Sequence, residues 1–299
     1  MKKKVFYAAA FLAAIMLIGV FTGCSTGTGD INDEPRSITL HNFDLNLGLG
    51  SVFISGSGEA TVEWVSSDPA DPVYQETFTL NPLPDLSEEM DTAADLLAIL
   101  PGYLQDLFSD AHAYECDPEN VNEVVNRSKK YTVTVTGNVT GFICNGFGVT
   151  EIEFDNMTTL NVLMILSNKL TDIDVKGLTN LWMLFVGNAA LTSSQKLETL
   201  DASGLPFLQL LGCGGMDTMT SLNVAGCPLL LAVNCMNDGL EKAELEAVFT
   251  ALPTRTPSAP GIILCGGDNP NPGYEDVVTA GTTSIATAKN WYVYDMPAP

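Results

Sequence analysis

The chain has 299 residues, 46% hydrophobic and 16% charged, with 26 Gly and 16 Pro; this excludes intrinsic disorder and a coiled coil, and leaves room for one large domain or two ordinary ones. It carries 36 acidic against 13 basic residues, a formal charge of −23, so it lacks the basic footprint that nucleic acid needs and would be repelled by anionic lipid surfaces. Only two histidines occur, His41 and His112, which narrows the catalytic choices.

The N-terminus reads as an address. Lys2, Lys3 and Lys4 precede 17 uncharged residues, Val5 to Phe21, a run near the lower limit for a membrane span. It ends in Phe21-Thr22-Gly23-Cys24, which resembles the lipobox of bacterial lipoproteins, where the cysteine is acylated and becomes the new N-terminus. Phe21 stands where leucine is usual. A plain signal peptide and an uncleaved anchor are the alternatives. On the lipoprotein reading, residues 1–23 are the signal peptide and residues 24–35 a polar tether. Removal of the three lysines leaves 36 acids against 10 bases, a net of −26. The resemblance implies a triacylated Cys24, which meets the need for more than one chain in stable anchoring. Ser25 after it is similar to lipoproteins sent on to the outer membrane. The expected place is the outer membrane or cell surface, lipid-anchored, with no further spanning segment.

Residues 36–137 read as a β-rich domain. Strand candidates are 37–41, 51–55, 61–66, 73–80 and 130–137, alternating or β-branched, with Gly56-Ser57-Gly58 as a turn between two of them. An insertion, 81–126, interrupts them. Within it Ser87-Glu88-Glu89-Met90-Asp91 reads as a helix start, followed by the stripe Met90, Ala93, Ala94, Leu97 and Leu100. Tyr103, Leu104, Leu107 and Phe108 suit a shorter helix. Packing against its own domain is the ordinary role for such a stripe, and partner binding the other.

From residue 138 to 239 the chain repeats. Val139, Phe142, Cys144, Val149, Ile152, Phe154 and Met157 recur 21 residues later as Leu160, Leu163, Ile165, Leu170, Ile173, Val175 and Leu178. A third unit runs Leu181, Leu184, Val186 and Leu191, gains six residues, and continues through Leu200, Ala202 and Leu205. A fourth opens at Leu208, Leu211 and Cys213, a fifth at Leu230, Val233, Cys235 and Leu240. Leu160-x-x-Leu163-x-Ile165-x-x-Asn168-x-Leu170 resembles the leucine-rich repeat, in which one short strand per unit stacks in parallel on its neighbours to bury a shared core. The resemblance implies that Asn168 bonds turn backbone inside the stack.

Residues 240–299 read as a cap. Leu240 to Leu252 has helical apolar spacing, with Asp238 as its N-cap and Pro253 as its stop. Gly261 to Cys265 reads as a strand, 284–290 as a short helix, and Trp291 to Tyr294 as a last strand. Such a cap covers the raw end of a repeat array. The whole resembles bacterial surface leucine-rich-repeat lipoproteins. Besides the lipobox and the repeats, the small preceding domain is matched by Gly56-Ser57-Gly58, Trp64, His112-Ala113-Tyr114 and Tyr131 to Asn138. Val65-Ser66-Ser67-Asp68-Pro69 stands where that family carries Gly-Asp-Gly after the tryptophan, which loosens the tie to polycystic-kidney-disease-type sandwiches. The expected fold class is mainly β with some α: a sandwich-like N-terminal domain with a helical insertion, then a leucine-rich-repeat solenoid with a parallel sheet and an α/β cap.

An exported protein meets an oxidising compartment, yet in-register parallel strands about 4.7–4.9 Å apart hold Cβ atoms farther apart than the roughly 3.5–4.5 Å of a disulfide. Cys144, Cys213 and Cys235 fall in the inward column, and Cys213 and Cys235 therefore read as buried thiols, with disulfides the alternative. No metal or cofactor is expected. No H-E-x-x-H, G-x-S-x-G, P-loop or G-x-G-x-x-G occurs, and the prolines in Asp268-Asn269-Pro270-Asn271-Pro272-Gly273 take places where a calcium loop needs ligands.

If the leucines of each strand point inward, their neighbours face out on the sheet. Those neighbours are Val162, Met164, Met183, Phe185 and Leu210, with Trp182 and Gln209 just before two of the strands. A face this apolar marks either a contact site or internal packing, and the two readings stand level. The expected function is recognition of a protein or peptide ligand through this face, in adhesion. A glycan-binding lipoprotein accessory to polysaccharide uptake is the alternative, and an enzyme is the least favoured.

Overall fold

A computed structural model describes residues 35–44, 52–82, 113–114, 129–188, 196–236, 238–266 and 278–295. Those residues are mainly β, built on a large mixed sheet with two helices. The antiparallel part comes first. Strand β1 (Ser37–Phe43) lies between β5 (Tyr131–Ile143) and β6 (Glu151–Asp155). On the other side of β5 runs β2 (Val52–Ser66), which also pairs with β3 (Tyr74–Thr79) and β4 (Ala113–Tyr114). Val133, Val135 and Trp64 alternate inward with Ile38, Leu40 and Phe43, as β-branched and aromatic residues on a half-buried pleat should. Phe43 stacks on Phe147 at 4.4 Å and meets Trp64 edge-on at 5.3 Å.

The turn expected at Gly56-Ser57-Gly58 is absent. Strand β2 runs straight through it, and its register against β5 shifts between Ser55 and Gly56 and again between Ser57 and Ala60. These glycines make a bulge. A Cβ on Gly56 would overlap the Asn138 carbonyl, and Gly58 adopts a φ of 77°, so the residue type follows from close approach and backbone sign rather than chain reversal.

Strand β5 keeps β2 on one edge and changes partner on the other. Its C-terminal residues Gly141, Phe142 and Ile143 pair in parallel with β7 (Val162–Met164). The ladder continues through β8 (Met183–Phe185), β10 (Leu210–Gly212), β12 (Ala232–Asn234), β13 (Gly261–Cys265) and β14 (Trp291–Asp295). The register aligns Phe142, Leu163, Leu184, Leu211, Val233 and Ile263 across neighbouring strands, and all are buried in one core. The strand reaches past residue 137, so the N-terminal β-rich region and the repeating region share it.

Opposite the ladder, β9 (Thr199–Asp201) and β11 (Ser221–Asn223) form a two-stranded parallel sheet. Turn chemistry repeats there. Asp174, Asp201 and Asn223 each accept, through Oδ1, the backbone N–H two residues on, at 3.0, 3.1 and 3.1 Å. Asn156, Gly204 and Gly226 take left-handed backbone at φ 52°, 73° and 75°, positions that only Gly and Asn occupy readily.

Helix α1 (Lys242–Ala251) buries Leu245, Val248 and Phe249 and stops before Pro253. Its N-cap is Glu241, without a side-chain cap bond. Asp238, expected in that role, is instead buried, because it falls on an inward position of the repeat. Helix α2 (Ala280–Thr287) starts earlier than expected, at a capping box made by Thr279 and Thr282. Trp291 closes this end: its Nε1 donates to the Pro253 carbonyl at 2.7 Å. The expected helices at 87–100 and 103–108 lie outside the described residues, as do Cys24, His112 and the whole of the segment before residue 35.

Candidate functional site

Alternation along the parallel strands puts Val162, Met164, Met183, Phe185 and Leu210 on the side of the sheet away from the main core. Their rows continue into Ile143 at one end and into Ala232, Ile262 and Leu264 at the other. From the sequence, a contact site and internal packing stood level for this face. Val162, Met164, Trp182, Met183, Phe185 and Leu210 are all at most 4% exposed, and only Gln209 is half-buried. An uncovered strip of this kind would hold several hundred Å² of hydrocarbon against water, and removing it from water is the larger free-energy gain. These six side chains are buried in the structure.

The face keeps a few polar groups. Asn161 donates from Nδ2 to the Asn180 carbonyl at 3.1 Å, and Asn234 accepts the Met236 N–H at 3.0 Å. Gln209 Oε1 is buried with no hydrogen-bond partner.

Inside the stack, Asn168 does what its position implied. It accepts from the Phe147 and Val149 N–H groups at 3.1 and 3.2 Å and donates to the Cys144 and Leu166 carbonyls at 2.8 and 3.2 Å. Sequence reasoning missed the residue that matches it, Asp238. The signal was present: Leu230, Val233, Cys235 and Leu240 frame Asp238 as Leu160, Leu163, Ile165 and Leu170 frame Asn168. Asp238 Oδ1 accepts the Met216 N–H at 3.0 Å, and the Cys213 thiol lies 3.3 Å from Oδ2. Burial pushes this carboxyl well above the ordinary range for aspartate, against the lowering effect of those two bonds.

Cys144, Cys213, Cys227, Cys235 and Cys265 are buried free thiols. Cys213, Cys227 and Cys235 direct their sulfurs at the carbonyls of Asn234, Ala202 and Leu264. Burial raises the thiols of Cys213 and Cys235, and that of Cys265 to about 12. Such thiols are poor nucleophiles and poor metal ligands. Among the described residues no group of three or more His, Cys, Asp or Glu side chains is placed to hold a metal ion. His41 Nε2 lies 3.5 Å from Glu153 Oε1 across neighbouring strands. An apolar cavity between Leu40, Trp64 and Phe142 measures about 10 Å³, room for no more than one water.

What the molecule presents to solvent is acidic. Glu151, Glu153 and Asp155 on β6, and Asp172 and Asp174 one unit further on, are exposed. Asp201 stands next in the same column as Asp174. Its carboxyl is lowered to about 2, first by the hydrogen bond from Lys176 and then by that from Ser203; the Lys176 pair measures 2.7 Å. At the other end Lys129 bridges Asp68 and Asp71 at 3.0 and 2.6 Å. No helix among the described residues is long and apolar enough to cross a membrane. A scan against protein-family models finds no match, and a comparison with curated proteins finds none either.

Proposed function

We propose that the chain is a surface-anchored recognition lipoprotein of the leucine-rich-repeat kind, fixed by acylated Cys24 to the outer membrane or cell surface and binding a protein or peptide in adhesion. Support for a solenoid comes from the parallel ladder, whose aligned residues Phe142, Leu163, Leu184, Leu211 and Val233 lie 21, 21, 27 and 22 apart in sequence. Neighbouring units of that kind repeat their outward side chains as regularly as their inward ones.

Contact is assigned to the solvent-accessible polar column Glu153, Asp174, Asp201 and Asn223 rather than to the apolar sheet face. The observation that carries this choice is the contrast in burial: Trp182 and Phe185 are at most 4% exposed, while Glu153 and Asp174 are exposed and Asp201 and Asn223 half-buried, with three of the four side chains fixed by their own turns. A surface of that charge suits a partner with basic groups, whose encounter it would accelerate and whose register it would set.

The test is retention of basic peptides, basic proteins and a glycan array on the immobilised full chain. Asp174→Lys with Asp201→Lys should abolish retention of the basic ligands while the melting temperature shows the fold intact. Unchanged retention in that folded variant would remove the column from the interface. Retention of glycans alone would replace protein recognition by a role beside polysaccharide uptake.

A further inference from the structure

Asp238 is a buried acid in a place built for an amide. Asn168, its counterpart, satisfies two backbone donors with its oxygen and two backbone carbonyls with its nitrogen. Asp238 matches the first half only. It accepts from Met216 N–H, but an ionised carboxylate has no proton to give where the amide gives two. Its second oxygen faces the Cys213 thiol. Asp238 is 1% exposed, and no ion pair reaches it among the described residues. The titratable groups that act with it are the Cys213 thiol, from the unit of β10, and the Cys235 thiol, from the unit of β12. Neither can compensate a negative charge. An uncompensated charge in such a place is strongly disfavoured, while the neutral acid can donate as an amide does.

We propose that Asp238 is carried as the neutral acid at neutral pH and makes the junction between the β10 and β12 units a pH-sensitive joint. In either state Oδ1 accepts the Met216 N–H and ties that turn to the chain that enters α1. Protonated, the side chain does so without a buried charge; ionised, it carries a charge met only by the Met216 N–H and the Cys213 thiol, and the junction loosens. The sign follows from linkage. The unfolded carboxyl titrates near 3.8, and the folded one holds its proton to higher pH. Its stabilising contribution is complete below the unfolded value and is lost as pH rises through the folded value. Across that window this single proton raises the unfolding constant about tenfold per pH unit.

The experiment is denaturant unfolding of the full chain and its Asp238→Asn variant from pH 4 to 9, paired with infrared spectra of the native chain at pH 7. The ratio of native to variant unfolding constants should climb about tenfold per pH unit above the unfolded value. At pH 7 the native chain should show the carbonyl band of a protonated carboxyl, and Asp238→Asn should lack it. The same pH profile in both chains would overturn the proposal. If the variant does not fold, the native spectrum decides alone: without a protonated-carboxyl band at pH 7 the idea fails.

Discussion

Truncating Phe185 separates the two roles that an apolar sheet face can have. The ring sits on β8, beside Met164 on one strand and Gly212 on the other, and Gly212 leaves it room. It is 4% exposed, so nearly all of an aromatic side chain's roughly 150–250 Å² is out of water. At about 25 cal/mol per Å² that burial is worth about 4–6 kcal/mol, as an upper bound set by an extended unfolded chain. Phe→Ala in cores costs about 3–5 kcal/mol. Phe185→Ala should therefore lower the unfolding free energy by about 3–5 kcal/mol in urea titrations followed by circular dichroism, and Trp182→Ala by a similar amount. Were the face open and waiting for a ligand, truncation would alter stability by no more than about 0.5 kcal/mol. A Phe185→Ala midpoint indistinguishable from native, at unchanged slope, would refute the packing role.

Three further outcomes follow from the same geometry. Asn168→Ala strands buried backbone groups at about 1–3 kcal/mol each, so the variant should lose at least about 3 kcal/mol by the same titration. Gly261→Ala would set a Cβ 2.5 Å from the Trp291 ring; overpacking of that kind costs about 1–3 kcal/mol and should show as a lower melting temperature. Lys176→Met removes the main cause of the low Asp201 value, so the Asp201 titration, followed by NMR, should move up from about 2 toward 3.8. In the native chain the Asp201 contribution is present above 3.8 and fades as pH falls toward 2. Because the pair is solvent-exposed, its loss should cost less than about 1 kcal/mol.

The inward columns were legible because the parallel ladder demands an apolar residue at each crossing. Leu163, Leu184 and Leu211 had no other place to go. Gly261 to Cys265 was readable as a strand for the same reason. The outward side was not legible: alternation assigns Phe185 to the other face of a sheet but says nothing of whether that face is wet. Gly56-Ser57-Gly58 looked like a reversal because turn and bulge draw on the same residue types. Asp238 was mistaken for a cap because an aspartate ahead of a helix has that habit, and its agreement with Asn168 shows only when positions 70 apart are laid together. The start of α2 was missed because Gly281, Thr282 and Thr283 have weak helix propensity, and the capping box at Thr279 supplies what they lack.

Strand β5 keeps β2 antiparallel along one edge for its whole length and on the other edge passes from antiparallel β1 to the parallel ladder. Where domains are joined by a linker, they swing; a shared strand denies them the hinge. Tension or heat arriving at one half passes to the other along covalent backbone, so a scanning calorimeter should record a single endotherm rather than two. Whatever holds one half, the other keeps a constant attitude to it, as the two ends of a bracket do.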